Sequence, residues 1–398
     1  MSRENDVVIV SAVRTPIAKF GGALKDVRAS KLAALVMTEA IKRVPNLEPA
    51  SIDEVVAGDC IQCADEANTA RTAALLAGIP QEVPAYTIQR QCGSSMQALY
   101  SAAQQIRAGD AEVVLVAGVE SMSSAPYYMS GARWGMRLMN QEVTDSIWEL
   151  LHSGSRLMGK PMIMGITAEN LAEKYSISRE DQDEMAVLSH NRAEAAITSG
   201  RFKDEIVPVE LGGREKKVFE QDEHPRFGLT LKDIAKLKPI FKPDGTITAG
   251  NSSGLNDGAA AAVVMTRRKA KEVGVEPMAR IVAQAAAGVE PHLMGFGPVP
   301  AVQKTFKKAG ISLKDIGLIE VNEAFAAQYI SCERALGLDR SITNVNGSGI
   351  GLGHPVGATG LRIVASLAHE MARRDVNVGL ATLCIGGGMG LATILARD

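Results

Sequence analysis

Apolar residues recur along the chain in two alternating rhythms. Residues 7–10 and 113–116 are short, unbroken apolar runs with the length and β-branched content of buried strands, and 378–383 reads as a further strand. Residues 52–56 read as the entry to another strand, and Leu318–Val321 as one more. Leu32, Leu35, Val36, Ile41 and Val44 fall near helical spacing, which predicts a helix over 31–44 with Ser30 as its N-cap. Met96, Leu99, Tyr100, Ala103 and Ile106 form a second helical stripe, ended by Gly109. Residues 300–309 also read as helical. A helix over 179–199 follows Ser178, with Glu180, Asp181 and Asp183 near its start, where the helix dipole favours them. Strands alternating with helices predict an α/β sheet with helices packed on it.

The C-terminal third repeats this plan. Ser312-Leu313-Lys314-Asp315-Ile316 resembles Ser51-Ile52-Asp53-Glu54-Val55, and each follows a helical segment. A glycine-containing turn comes 41 residues after Ser51, at Gln91-Cys92-Gly93, and 42 residues after Ser312, at Gly353-His354-Pro355. A helix and then a strand follow each turn. The pattern reads as a duplicated α/β unit with Cys92 and His354 at equivalent turns; chance likeness of two generic α/β stretches is the alternative. Residues 121–249, between the copies, differ in kind. They hold Trp134, Trp148 and eight of the sixteen methionines. They also hold charged loops such as Arg214-Glu215-Lys216-Lys217, which reads as solvated surface. This segment is expected to be an insertion over one face, where loops carry binding functions.

Length and composition narrow the classes. At roughly 150 residues per domain, 398 residues make two or three compact units. With 46% hydrophobic and 22% charged residues, the chain is neither disordered nor fibrous. A net charge of −2 gives no global attraction to nucleic acid or an anionic membrane, and 4% aromatics leave few base-stacking platforms. Five cysteines, an odd number, make no disulfide framework and suit a reducing compartment. No apolar run approaches the ~18 residues of a membrane span. A soluble, cytoplasmic protein is expected.

Three sites carry candidate chemistry. Cys92 lies in Arg90-Gln91-Cys92-Gly93-Ser94-Ser95, where a helix begins. Peptide dipoles there favour a thiolate, so Cys92 is a candidate nucleophile; a small buried cysteine is the alternative. His354 lies in Gly351-Leu352-Gly353-His354-Pro355-Val356-Gly357, where glycines admit a ligand and the imidazole can take a thiol proton; a structural turn histidine is the alternative. The other five histidines read as surface residues. Cys384 ends an apolar strand before Gly386-Gly387-Gly388, whose N–H groups can face an oxyanion. A dinucleotide-binding reading of that loop fails at Leu391, which stands where the third glycine belongs. Asn322 and Glu323 end a strand; the amide either positions a water or carbonyl, or caps the next helix. Two further motifs are weaker. Cys60-Ile61-Gln62-Cys63 has redox or zinc spacing but no second pair. Gly250-Asn251-Ser252-Ser253-Gly254 fits a serine-hydrolase elbow, but Asn256-Asp257-Gly258 interrupts the helix that should follow.

Taken together, these residues resemble the thiolases from end to end. The matching segments are 13–23 (VRTPIAKFGGA), 91–97, 118–121, 165–170, 250–258, 322–328, 344–360 and 384–390. The resemblance implies two similar α/β halves stacked as a five-layer αβαβα core with an inserted loop domain. The N-terminal half would be 1–120, completed by about 250–270. The loop domain, 121–249, would cover a coenzyme A site, and 271–398 would be the C-terminal half. A homodimer or homotetramer is expected.

The resemblance also assigns roles. Cys92 would accept the acyl group, His354 would activate it, and Cys384 would move the proton of the acetyl-CoA methyl carbon. Asn322 would hold a water that forms one oxyanion hole with His354. Backbone N–H groups of Cys92 and Gly386 would form the other. Ser253 would meet the pantetheine and Arg226 the adenine; Met164, Phe241, Met294 and Phe325 would line the channel. The substrates would be acetyl-CoA, CoA and 3-ketoacyl-CoA, with no metal and no cofactor beyond coenzyme A as substrate. Two departures stand out. Ile163-Met164 replaces the His-Met usual in biosynthetic members, and Gly347-Ser348-Gly349-Ile350-Gly351 replaces Gly-Gly-Ala-Ile-Ala. With the degradative look of 131–148, the first predicts a more apolar pocket open to longer acyl chains. A ketosynthase would not be expected to carry both Asn322-Glu323-Ala324-Phe325 and Cys384, and a non-catalytic scaffold predicts loss of the cysteine or histidine.

Overall fold

The computed structural model describes residues 3–212 and 217–397; Arg214, Glu215 and Lys216 of the charged run lie outside the described residues. The apolar runs form strands β1 (Val7–Arg14), β2 (Glu54–Gly58), β3 (Ala85–Ile88), β4 (Val113–Ser121) and β5 (Asn256–Thr266) in the first half. Strands β6 (Ala279–Gly288), β7 (Leu318–Val321), β8 (Val378–Ile385) and β9 (Met389–Ala396) belong to the second. They join in the order β7-β8-β9-β6-β1-β5-β4-β2-β3, with Ala18–Lys19 added on β5 to complete a ten-stranded sheet.

The sheet shows the duplication directly. Outwards from β1, the pairings with β5, then β4, then β2 run antiparallel, antiparallel and parallel. Outwards from β6, the pairings with β9, β8 and β7 follow the same sequence. A last parallel partner is β3 in one half and the Ile319–Thr343 bridge in the other. The halves touch along β1 and β6 through only two residue pairs, Val8–Arg280 and Ile9–Ala279.

The helices of eight residues or more are α1 (Ala29–Lys42), α2 (Thr69–Leu76), α3 (Ser94–Ala108), α4 (Met164–Lys174), α5 (Arg179–Thr198), α6 (Pro298–Ala309), α7 (Ala326–Leu336) and α8 (Val356–Arg373). Leu32, Met37 and Ala73 of α1 and α2 pack on the outer face of the first half, against Val55, Leu115 and Val263. Val302 and Ile330 of α6 and α7 cover the second half at Ile319, Leu380 and Ile394. Between the halves, Met96 and Leu99 of α3 and Leu361 and Val364 of α8 meet Val116, Ala262 and Leu383. Five layers result, αβαβα. Each fully buried Leu, Ile or Met side chain contributes about 1.5–3 kcal/mol relative to exposure. The two central helices approach closely: a Cβ on Gly360 would press into the Met96 backbone.

Helix ends show where local pattern suffices and where it fails. Gly109, at φ +85°, closes α3, and Ser178 caps α5 by accepting from the Asp181 N–H at 3.0 Å. Ser30, however, is not a cap. It lies inside α1, which begins at Ala29, and its N–H donates to Glu66 Oε1 at 3.0 Å. A carboxylate 36 residues away thus satisfies a first-turn amide. Among the described residues, no helix is long and apolar enough to cross a membrane.

Candidate active site

Cys92 sits in the turn between β3 and α3. Gln91, just before it, has φ +47°, a left-handed conformation that costs a non-glycine residue roughly 1–2 kcal/mol. Three contacts hold it there. The Gln91 carbonyl accepts from Ser94 Oγ at 2.7 Å, the Ser94 N–H at 2.9 Å and Cys60 Sγ at 3.0 Å. Cys92 itself is buried.

His354 occupies the matching turn before α8. Its N–H donates to Asn256 Oδ1 at 2.8 Å. Its Nδ1 lies 2.6 Å from Thr359 Oγ1, whose hydroxyl donates to the Pro355 carbonyl at 2.9 Å. A hydroxyl has one proton, so Thr359 receives the Nδ1 proton and leaves Nε2 as the basic nitrogen. Nε2 is 3.4 Å from Asn322 Nδ2. Asn322 follows β7 and is fully buried.

The third element is the β8–β9 hairpin. Its turn is Gly386-Gly387-Gly388, with φ of +82° and +87° at the last two. The Gly386 N–H is close enough to the Cys92 sulfur to favour its thiolate form. No side chain fits at 386, since a Cβ would strike Ser153 Oγ and Met164 Cε. Cys384 is fully buried and close enough to Cys92 to feel its charge.

Burial sets the charge state. It pushes the Cys92 thiol up to about 11, against the opposing pull of the Gly386 and Cys92 N–H groups. It pushes Cys384 well above the ordinary thiol value. Burial first, then the Arg362 charge, holds the His354 imidazole down at about 3. Both groups are thus held towards their neutral forms. Burial thus opposes the thiolate that the helix start favours, and is the larger of the two effects.

Cys92 and His354 line one cavity of about 330 Å³. The same wall holds Met164, Phe241, Arg226, Ser253, Met294 and Phe325, together with Ile163. Phe241 meets Phe325 edge-on, with centroids 6.3 Å apart, and the Ser253 N–H donates to the Ala324 carbonyl at 2.9 Å. Arg226 is solvent-exposed, so its charge stands at the cavity wall where solvent enters. Asn322, Cys384 and Gly386 do not line the cavity. They lie behind it, Asn322 against His354 and the other two against Cys92.

The surface reading of the remaining histidines holds only for His292; His152 is buried and His369 half-buried. His190 is buried and His224 half-buried; both line the cavity, with ring centroids 6.0 Å apart. Burial holds them down, at about 3 and about 4. Local polarity misled, because residues distant in sequence cover them. The weaker motifs stay weak. Ser252 donates its hydroxyl proton to the Thr248 carbonyl at 2.7 Å, and strand β5, not a helix, follows. Cys60 and Cys63 carry no disulfide, and no cluster with metal-ligating potential occurs among the described residues. Thr359, Asn256 and Gln91 escaped the sequence reading. Each nevertheless lies in a matching segment: Thr359 in 344–360, Asn256 in 250–258 and Gln91 in 91–97.

Comparison with known proteins agrees with this geometry. Residues 7–268 match the family model for the thiolase N-terminal domain, and 275–397 that for the thiolase C-terminal domain. An acetyl-CoA acetyltransferase of Pseudomonas aeruginosa is 49% identical over 395 residues, spanning 99% of this chain and 100% of that protein. The crystal structure of the Bacillus anthracis acetyl-CoA acetyltransferase superposes with a TM-score of 0.96 at 54% identity, covering 98% of this chain and 99% of that one. Human mitochondrial 3-ketoacyl-CoA thiolase in complex with CoA gives 0.95 at 44% identity, covering 100% and 99%.

Proposed function

The chain belongs to the thiolase family and is an acyltransferase, and from that premise we propose that it cleaves 3-ketoacyl-CoA with CoA, and runs the reverse Claisen condensation, through an acyl group on Cys92. The carrying observation is the convergence of Cys92 and His354, one from each half, on one cavity with the Gly386 N–H close to the sulfur.

In thiolysis, His354 Nε2 takes the Cys92 proton as the sulfur attacks the 3-keto carbon. The new oxyanion is met by the N–H groups of Cys92 and Gly386. The bond between C2 and C3 then breaks, and its electron pair enters the acetyl-CoA enolate. Asn322, through a water, and His354 stabilise the enolate oxygen. Cys384 supplies the proton that makes acetyl-CoA. A second CoA then gives its thiol proton to the Cys384 thiolate and attacks the thioester; acyl-CoA leaves, and His354 returns its proton to the Cys92 sulfur. Condensation reverses these steps. The chemistry as written uses coenzyme A only as substrate and calls on no metal.

Arg226 at the cavity wall offers local positive charge for the nucleotide end of coenzyme A, and Ser253 meets the pantetheine. Met164, Phe241, Met294 and Phe325 line its channel. Residues 121–249 act as the loop domain over that site: Met164, His190, His224, Arg226 and Phe241 all reach the cavity from it. The N-terminal half is 1–120 with 250–270, and the C-terminal half is 271–398. Ile163 in the wall favours acyl chains beyond acetoacetyl. The protein works as a cytoplasmic homo-oligomer; Trp134, Leu138 and Met139, all more than 80% exposed, offer apolar surface for a second copy. Thiolysis rates from C4 to C16 test the range: turnover beyond C4 is expected, and activity confined to C4 overturns the broader specificity. Cys384→Ala is expected to slow condensation far more than acylation of Cys92; normal condensation in that variant contradicts its role.

A further inference from the structure

Glu120, at the end of β4, is fully buried and does not line the cavity. Its carboxylate nevertheless touches the supports of both reacting residues. Oε2 accepts from the Gly357 N–H at 2.8 Å and the Cys60 N–H at 3.3 Å, and Oε1 accepts from the Ile61 N–H at 3.1 Å. Gly357 is in the first turn of α8, three residues past His354. Cys60 carries the bond onwards: its Sγ donates to the Gln91 carbonyl at 3.0 Å and lies 3.4 Å from Ser94 Oγ. Gln91 is the left-handed residue that aims Cys92.

We infer that Glu120 is a positioning residue for the reaction proposed above, fastening the turn that presents Cys92 to the helix start that presents His354. The two turns come from different halves, and their relative placement rests on the packing of α3 against α8 and on few direct polar ties. Glu120 is one tie that reaches both. Gly357 must be glycine for it, because a Cβ there would collide with the Val119 carbonyl and crowd Glu120 Oε2 at 2.9 Å.

A second carboxylate joins the first. Asp59 is buried, stands near enough to Glu120 for each carboxyl to feel the other, and accepts from Thr69 Oγ1 at 2.6 Å. Two buried carboxyls near one another disfavour each other's ionisation. Burial, and then the Asp59 charge, pushes Glu120 up; burial is also the first cause for Asp59. The groups facing this pair are Cys60 and, beside Asp59, Glu66 on the loop after β2, Thr69 on α2, and Cys92 on its turn. From α8 it receives the Gly357 N–H. The bracket is thus a buried carboxyl held among three backbone N–H donors, one of them at the N-terminus of α8.

The test is Glu120→Gln, which keeps the volume but places an N–H₂ where N–H groups point. For acetoacetyl-CoA thiolysis, kcat is expected to fall about tenfold or more with KM within about twofold, the split of a group that acts on the reacting geometry. Alkylation of Cys92 by iodoacetamide, read by peptide mass, is expected to slow in parallel. That readout needs no substrate, so it separates failure of this inference from failure of the proposed reaction. Cys60→Ala removes only the thiol link and is the second variant should Glu120→Gln not fold; a severalfold slower alkylation of Cys92 is expected. Wild-type alkylation and kcat in the folded variants would overturn the inference. So would multiplying effects in the Glu120→Gln, Cys60→Ala double variant, since one route requires that they overlap.

Discussion

Thr359 Oγ1 stands 2.6 Å from His354 Nδ1, one turn into the helix that His354 precedes. The contact fixes the ring and its tautomer and leaves Nε2 as the basic nitrogen. Thr359→Val removes the acceptor while keeping the shape. Its kcat should fall about ten- to a hundredfold, within the ~10²–10⁴ that a positioned base supplies. Thr359→Ser should retain most of the rate. Steady-state kinetics on acetoacetyl-CoA checks the pair; equal rates in wild type and Thr359→Val would remove Thr359 from the mechanism.

The pH dependence follows from the His354 environment. Burial and Arg362 hold the imidazole at about 3, so the base is already neutral over the whole range from pH 5 to 7.5. Single-turnover acylation of Cys92 should then show no inflection near 6.5, the value of an exposed histidine. A rate that falls by half near pH 6.5 would mean that His354 is either solvated or not the base.

Gly386 offers a second point of attack. Its φ is not left-handed, so Gly386→Ala meets no backbone penalty; the obstacle is Ser153 Oγ and Met164 Cε. Displacing the turn carries the N–H away from Cys92. The acylation rate should drop about 10²–10³-fold, the cost of losing one oxyanion donor. Thermal unfolding should be little changed, and a loss of fold instead of rate would assign Gly386 to packing alone.

His190 tests the electrostatics of the cavity wall through stability. Its native value is about 3, below the unfolded 6.5, so the native state resists protonation there. The contribution of neutral His190 is complete above pH 6.5 and is lost as pH falls towards 3. The stability gap between wild type and His190→Gln should therefore shift against the wild type from pH 7 to 5. The slope is at most roughly 1.4 kcal/mol per pH unit. Denaturant melts at the two pH values measure it; a constant gap would show that His190 titrates normally.

Much of this site was legible because glycine marks it. Cys92, His354 and Gly386 lie in turns whose glycines show in sequence, and two of those turns recur at one spacing along the duplicated halves. The strand order of the halves was not legible in the residues alone, although matching segments at 51 and 312 pointed to it. The supporting shell was hidden for a physical reason. Glu120 reaches Gly357 across 237 residues, Asn256 reaches His354 across 98, and Glu66 caps α1 across 36. Each partner is chosen by packing, and no local pattern announces it. The burial of Cys92 was hidden for the same reason: the helix start that favours its thiolate is local, while the burial that opposes it is not.

The central claim is an acyl group carried on Cys92. Wild-type protein mixed with acetoacetyl-CoA, quenched in acid and digested, should yield the Cys92 peptide bearing one acetyl group, and added CoA should remove that group. Cys92→Ala should give no modified peptide at any cysteine. An acetyl group on another residue, or steady thiolysis by the Cys92→Ala protein, would contradict the account.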